Sequence, residues 1–232
     1  MNTIDLNSLK QAAALKAVEY VRDGMTVGLG TGSTAKHVVI ALGEKITQGM
    51  RLRGVATSRE TSELATQHKI PLLSDEQAWT FDVAIDGADQ VDPQFNLVKG
   101  GGGALLKEKI VAASAKQFIV VVDHTKQVPV LGGSFPLPIE VVPFGWSSTA
   151  REIECVTGGK TVLRERQGNV FITEGGHYIL DVHIAQIVAP QELERRLDRI
   201  PGVVESGLFV GRTDILIVGT PQGVEILRAQ RT

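Results

Sequence analysis

The run Phe81-Asp82-Val83-Ala84-Ile85-Asp86-Gly87-Ala88-Asp89 reads as a short buried strand that ends on two carboxylates. Valine, isoleucine and phenylalanine suit a pleated, covered run, and Asp-Gly breaks it. Open α/β sheets gather their ligands beyond the carboxyl ends of the strands, which is where Asp86 and Asp89 fall. Downstream, Lys99-Gly100-Gly101-Gly102-Gly103 precedes Leu106-Lys107-Glu108-Lys109. Glycines cost backbone entropy, so four together imply a task, and free N–H groups where they open a helix favour an anion. That helix is expected to run to about 113, with Glu108 early in it and Lys99 just before it. Two aspartates, a lysine, a set of backbone donors and a glutamate are therefore expected to converge on one small polar ligand. The competing reading is a plain turn, a flexible loop and a solvated helix face. Clustering of charge at a strand end favours function over it.

Moving toward the N-terminus, Asn7-Ser8 caps an expected helix over 9–21, and Gly24 follows its end. Met25-Thr26-Val27-Gly28-Leu29 is an expected buried strand. It runs into Gly30-Thr31-Gly32-Ser33-Thr34 and then a helix over 35–42. Strand, small-residue loop and helix make a phosphate cradle, because small residues let the backbone approach and hydroxyls add donors. The loop lacks the Gly-Lys-Ser/Thr ending of a nucleotide triphosphatase. Ser33 stands where the third glycine of a dinucleotide site belongs, and the next strand, over 51–56, ends in Thr57-Ser58-Arg59 with no acid for a ribose. A single phosphate is favoured over a dinucleotide. A tight turn with a serine cap is the alternative.

A helix over 60–68 is expected to stop before Pro71, which restricts the residue ahead of it, and Pro71-Leu72-Leu73 is a connector or short strand. Beyond Glu108, residues 117–122 form a strongly apolar strand that ends in Asp123-His124-Thr125-Lys126. Lys126 is a candidate to neutralise an anion, and His124 reads as structural or solvated. Strands alternating with helices up to this point imply an α/β fold with a doubly wound, mostly parallel, Rossmann-like sheet.

The texture changes at Gly132-Gly133-Ser134 and Pro136-Leu137-Pro138, where a boundary is expected. The following pattern is strand (139–142), helix (147–156), strand (161–164), strand (178–187), helix (191–200) and strand (203–209). This βαββαβ order implies an inserted α+β ferredoxin-like domain over 134–209. In Tyr178-Ile179-Leu180-Asp181-Val182-His183-Ile184 the alternation turns Asp181 and His183 away from the core. Residues 214–219 form a buried strand and 224–228 an expected short helix. This tail is expected to rejoin the first sheet, so the catalytic domain is read as 1–133 plus 210–232.

Composition narrows the function classes. The 232 residues are 43% hydrophobic and 22% charged, enough for a well-cored globular protein. A net charge of −2 implies no basic surface for nucleic acid. No apolar stretch spans a bilayer, and the N-terminus carries no basic-then-apolar secretion signal. The single cysteine, Cys155, excludes an internal disulfide, suits a reducing compartment and reads as a small core residue. The five histidines form no metal-binding pattern.

Taken together, the chain resembles type A ribose-5-phosphate isomerases over essentially its whole length. The resemblance rests on Gly30-Thr31-Gly32-Ser33-Thr34, Asp86-Gly87-Ala88-Asp89, Lys99-Gly100-Gly101-Gly102 and Lys107-Glu108-Lys109. It also rests on Phe135-Pro136-Leu137-Pro138-Ile139-Glu140-Val141 and Ile200-Pro201-Gly202-Val203-Val204. It implies interconversion of D-ribose 5-phosphate and D-ribulose 5-phosphate in the non-oxidative pentose phosphate pathway, without metal or organic cofactor. It further implies a cytoplasmic homodimer or homotetramer acting on a small sugar phosphate, not on nucleic acid or membranes. By the same match, Glu108 is the catalytic base. Thr31, Gly32, Ser33, Thr34, Asp86, Gly87, Ala88, Asp89, Lys99, Gly100, Gly101, Gly102 and Lys126 are substrate-binding, and Lys10 reaches the phosphate.

The residue types suit that reaction. Isomerisation moves a proton between C2 and C1 through an enediol(ate), which one carboxylate can carry. Burial raises the pKa of such a base, and a nearby Lys99 lowers it. Backbone N–H groups of Gly100, Gly101 and Gly102, with Lys99, can stabilise the developing oxyanion, while Asp86 and Asp89 assist ring opening and hold hydroxyls. Two alternatives stay open: a related sugar-phosphate deaminase or acyl-CoA transferase, and a non-catalytic sugar-phosphate sensor. A sensor of this kind would carry a DNA-reading helix-turn-helix, for which the single helix before Met25 leaves no room.

Overall fold

The computed structural model describes residues 5–229. Residues 1–4, part of the stretch in which no secretion signal is read, lie outside the described residues. The chain runs α1 (Leu6–Val18), β1 (Thr26–Leu29), α2 (Ser33–Thr47), β2 (Arg53–Ala56), α3 (Arg59–Gln67) and β3 (Val83–Asp86). Then come β4 (Gln90–Val91), β5 (Leu97–Val98), α4 (Leu105–Ala113), β6 (Phe118–Asp123) and a 3-10 turn (His124–Lys126). The second half is β7 (Leu137–Val141), α5 (Trp146–Thr157), β8 (Lys160–Leu163), β9 (Glu165–Arg166), β10 (Asn169–Val170) and β11 (Tyr178–His183). It closes with α6 (Pro190–Leu197), β12 (Val203–Ser206), β13 (Leu208–Phe209), β14 (Ile215–Thr220) and β15 (Gly223–Arg228).

Two compact units result: 1–88, 107–126 and 212–232 form the first, and 89–106 with 127–211 the second. The second unit is larger than the expected 134–209. The reason is a three-stranded sheet, β13-β5-β4, in which Leu208 pairs with Val98 and Gln90 with Val98. That pairing ties the 89–106 segment to the later part of the chain.

In the first unit the sheet order is β15-β14-β6-β3-β1-β2, parallel except at the β15 edge. Strand order reverses between β1 and β3, because β2 lies on one side of β1 and the later strands on the other. The carboxyl ends of those two strands carry the Gly30 loop and Asp86, at the topological switch point. The core beneath is aliphatic: Val27, Leu29, Val83, Ile85, Ile119, Val121, Ile215 and Ile217 from the strands, with Ala13, Ala17, Val38 and Leu42 from α1 and α2.

Two glycines set the helix positions. A Cβ on Gly219 of β14 would lie 2.2 Å from the Leu9 carbonyl oxygen, so α1 rests its backbone directly on that strand. A Cβ on Gly28 of β1 would lie 2.4 Å from Val111 Cγ1, so the Val111 side chain of α4 packs directly onto the β1 backbone.

Three local expectations are corrected. The cap of α1 is Asp5, whose side chain accepts from Asn7 N, so Asn7 and Ser8 lie inside the helix. Helix α3 ends before the influence of Pro71 is felt: Lys69 adopts φ +59°, and the Lys69 and Ile70 amides return to the Thr66 and Ala65 carbonyls. This is a left-handed helix stop normally given to glycine, anchored by Ile70, which is 3% exposed. The expected helix at 224–228 is instead β15, joined to β14 with Thr220 facing Gly223. Pro221-Gln222 forms a two-residue turn, and hairpin pairing offers Val224 and its neighbours more hydrogen bonds than one isolated helical turn.

In the second unit a four-stranded antiparallel sheet has the order β12-β7-β11-β8. Helix α5 packs on β8 and β11, α6 on β12, and the helices touch each other. The core takes Leu137, Ile139 and Val141 from β7, Leu180 and Val182 from β11, and Ala150, Ile153 and Leu197 from the helices. Buried Glu140 accepts from Thr173 Oγ1 at 2.8 Å and pairs with His177 Nδ1 at 2.9 Å, fastening the 173–177 turn to β7. Cys155 is exposed on α5, not a core residue as expected.

Candidate active site

In the first unit, the short loop after β1 is built around Asp86. Its Oδ1 accepts the Thr31 N–H at 3.1 Å and the Gly87 N–H at 2.7 Å. A Cβ on Gly30 would lie 2.1 Å from that oxygen, so only glycine lets the loop close on the carboxylate. Asp86 is 3% exposed, and the burial of a charge is offset by these donors.

Thr31 is turned inward. Its hydroxyl lies 2.7 Å from Thr57 Oγ1 and 2.8 Å from Ser58 Oγ, and Thr61 donates to the Gly30 carbonyl at 2.9 Å. This cluster braces the loop, and the Thr31 hydroxyl is engaged within it. Gly32, at φ +104°, opens α2 with no side-chain cap, leaving first-turn N–H groups available to an anion. Ser33 is exposed beside them and Thr34 is buried.

Lys10 joins this corner. Its Nζ is 3.2 Å from Ser33 Oγ and 3.8 Å from Asp123 Oδ2, and the Asp123 side chain is 1% exposed. The geometry follows from the fold: Leu9 rests on Gly219, and Gly219 pairs with Asp123 across β14 and β6. Asp123 Oδ1 accepts from Thr125 N at 3.0 Å, which shapes the 3-10 turn carrying half-buried Lys126.

Glu108 lies in the first turn of α4 and is 6% exposed. Val111, three residues on, meets Gly28 of β1. Residues three apart share a helix face, so Glu108 is turned toward the sheet, one turn nearer its carboxyl edge.

In the second unit, Asp89 Oδ2 accepts the Gly101 N–H at 2.8 Å. Gly100 and Gly103 adopt positive φ, and Gly103 N returns to Gly100 O at 3.0 Å, closing a turn one residue before α4. The glycine run therefore precedes the helix and is not its first turn. Lys99 is 2% exposed, with Nζ 5.5 Å from the Phe209 ring centroid and its backbone N–H on Gly207 O at 2.8 Å. Phe135 supports the run from below, its Cζ 3.0 Å from where a Gly101 Cβ would sit. Of the backbone donors expected to face an oxyanion, the Gly101 N–H is held by Asp89. Among the described residues, the Gly102 N–H donates to no protein acceptor.

Residues 53–223 match the sequence profile of ribose 5-phosphate isomerase A (phosphoriboisomerase A). The chain belongs to this family, and is an enzyme. A family member from Gloeobacter violaceus, a ribose-5-phosphate isomerase A, is 51% identical, with 97% of each chain covered. One from Bradyrhizobium diazoefficiens is 46% identical over 98% of each. Among solved structures, a D-ribose-5-phosphate isomerase in complex with phospho-erythronic acid superposes with a TM-score of 0.93 at 41% identity, covering 97% of this chain and 100% of that one. The enzyme from Methanocaldococcus jannaschii gives 0.92 at 40% identity, covering 97% and 100%.

Within this family frame, sequence reading missed several residues. Asp123 carried a signal, since an acid closing an apolar strand is the same pattern that singled out Asp86. Thr57, Ser58 and Thr61 carried only the weaker signal of hydroxyls at a strand tip. Asp181 was read as facing away from the core. It lies on the face opposite Leu180 and Val182, where Arg164 binds it.

Proposed function

We propose that the protein interconverts D-ribose 5-phosphate and D-ribulose 5-phosphate, with Glu108 as the base. The observation that carries this reading is a carboxylate 6% exposed in the first turn of α4, in a chain of this family. Glu108 takes the C2 proton of the open-chain aldose and delivers it to C1, while a proton passes from O2 to O1. The Gly102 N–H and Lys99 stabilise the enediolate oxygen. Asp86 and Asp89 act in ring opening and hold hydroxyls, with Gly87, Ala88, Gly100 and Gly101 lining the sugar. The phosphate is assigned to the α2 N-terminus with Gly32, Ser33 and Thr34, and to Lys10 and Lys126. Its binding energy holds the reacting carbons in place. The relative crystallised with phospho-erythronic acid, a phosphorylated sugar acid, supports this class of ligand.

No metal or organic cofactor enters this scheme, and among the described residues no cluster of metal-binding side chains is present. No described helix is long and apolar enough to cross a membrane. A cytoplasmic role in the non-oxidative pentose phosphate pathway follows from the proposed substrate. The βαββαβ order of the second unit supports reading it as a ferredoxin-like insertion. A place for it at a homodimer or homotetramer interface is part of the same proposal. Light scattering that finds only monomer at micromolar concentration removes that last point.

The test is incubation with ribose 5-phosphate in deuterium oxide. Ribulose 5-phosphate should appear with solvent label at carbon, and Glu108→Gln should retain binding while turnover falls roughly a thousandfold or more. Formation of no ketose by the wild type refutes the activity. Near-wild-type turnover by the variant removes Glu108 from its role.

A further inference from the structure

Four successive glycines have little conformational preference of their own, so something outside the run must hold their peptide planes. Arg164, between β8 and β9, is placed to do so. Its Nε donates to Asp181 Oδ2 at 2.8 Å and its Nη2 to Asp181 Oδ1, a two-pronged ion pair with side chains 11% and 17% exposed. The register explains the pairing. Asp181 lies opposite Val162 across β11 and β8, and Arg164 follows two residues later on the same face. With that edge of the guanidinium fixed, Nη1 points elsewhere and donates to the Gly100 carbonyl at 2.8 Å and the Gly101 carbonyl at 3.3 Å. Phe171 closes the other side. Its ring lies 6.0 Å from the Arg164 guanidinium and 4.6 Å from that of Arg166, and its Cζ is 2.4 Å from where a Gly103 Cβ would be.

The consequence follows from peptide planarity. The carbonyl of one residue and the N–H of the next share a rigid trans plane and point in opposite directions. Holding Gly100 O therefore aims the Gly101 N–H, which lands on Asp89 Oδ2 at 2.8 Å. Holding Gly101 O likewise aims the Gly102 N–H away from Arg164. One side chain thus sets two successive planes. Arginine suits the task because its planar fork serves a carboxylate and two carbonyls together, which a lysine ammonium cannot.

We propose that Arg164, anchored by Asp181, is a positioning residue that orients the Gly101 and Gly102 N–H groups for Asp89 and for the enediolate oxygen. The inference rests on the isomerase reading above. Wild-type turnover of ribose 5-phosphate is measured first, and its absence overturns both. Given turnover, Arg164→Ala should lower kcat roughly ten- to a hundredfold, the scale of a donor displaced by about an ångström. KM should stay within about threefold, because the phosphate contacts are untouched. Added guanidinium at about 50 mM, too dilute to unfold a folded domain, should restore part of the rate, and Arg164→Lys should remain slow. A wild-type kcat in Arg164→Ala overturns the inference and leaves the isomerase reading intact. So does a loss that guanidinium does not relieve and that tracks the unfolded fraction. Should Arg164→Ala not fold, Asp181→Asn decides. It keeps the shape and weakens the anchor, so kcat should fall several-fold at constant KM, and an unchanged kcat overturns the inference.

Discussion

Gly30→Ala is the sharpest test of how the first unit builds its loop. The added methyl would lie 2.1 Å from Asp86 Oδ1, 2.2 Å from Cγ and 2.6 Å from Cβ. All three distances are far inside van der Waals contact, and the obstacle is not the free end of a flexible chain. Asp86 is 3% exposed, so it cannot escape into water. Gly30 does not occupy the left-handed region, so the substitution adds no dihedral strain of its own. Relief requires Asp86 to leave the Thr31 and Gly87 amides, at 3.1 and 2.7 Å, or the loop to lift, breaking the 3.0 Å bond from Gly30 N to Ile85 O. Two hydrogen bonds to a charged acceptor are worth roughly 1.5–3 kcal/mol each. Allowing partial re-formation, the expected loss is about 3 kcal/mol. Urea unfolding measures it, and turnover should fall at least about a hundredfold, because Asp86 is displaced as well. The control is Gly49→Ala, where nothing lies within 4 Å but φ is +100°. It pays backbone strain of about 1–3 kcal/mol and should keep full activity. A Gly30→Ala protein as stable and active as wild type would refute the steric reasoning.

Other consequences are simpler. Lys10→Met removes the cation 3.8 Å from buried Asp123 and the donor 3.2 Å from Ser33. KM should rise roughly tenfold or more, with about 1–3 kcal/mol of stability lost. An unchanged KM would take Lys10 away from the phosphate. Lys69→Gly should stabilise the protein by about 0.5–1 kcal/mol, seen as a Tm higher by a few degrees, because Lys69 holds a left-handed conformation in an exposed turn. A lower Tm contradicts that. The Lys116 ammonium, and then the Thr26 amide, hold the Asp82 carboxyl below its ordinary value of 3.8. A lowered folded pKa contributes stability above the unfolded value and loses it as pH falls through the folded one. Asp82→Asn should therefore cost up to about 1 kcal/mol near neutral pH and almost nothing near pH 2. A difference that does not shrink on acidification argues against the linkage.

How much was legible in the chain depends on how local each signal is. The parallel sheet announced itself through apolar runs alternating with amphipathic ones, and β1, β3 and β6 fall within two residues of expectation. Polar residues at and just beyond strand ends made Asp86, Ser33 and Lys126 candidates without coordinates. The failures lie where tertiary pairing overrides a weak local preference. Residues 224–228 are neutral between helix and strand until β14 offers an edge. The 89–106 segment looks contiguous with the first unit until β5 finds β13, more than a hundred residues later. Cys155 follows a composition rule that says nothing about which way a helix face turns.

The amino-acid order alone determined the family and singled out the strand–loop–helix segment and the carboxylates proposed for the site, because each is written in a few adjacent residues. Only the folded chain decided what those residues touch. Asp86 gathers two amides, Asp89 claims the Gly101 N–H, and Arg164 grips the glycine carbonyls from 63 and 64 positions away. Such contacts depend on strand register and on backbones approaching through glycine, which are properties of the whole packed structure and of no short stretch within it.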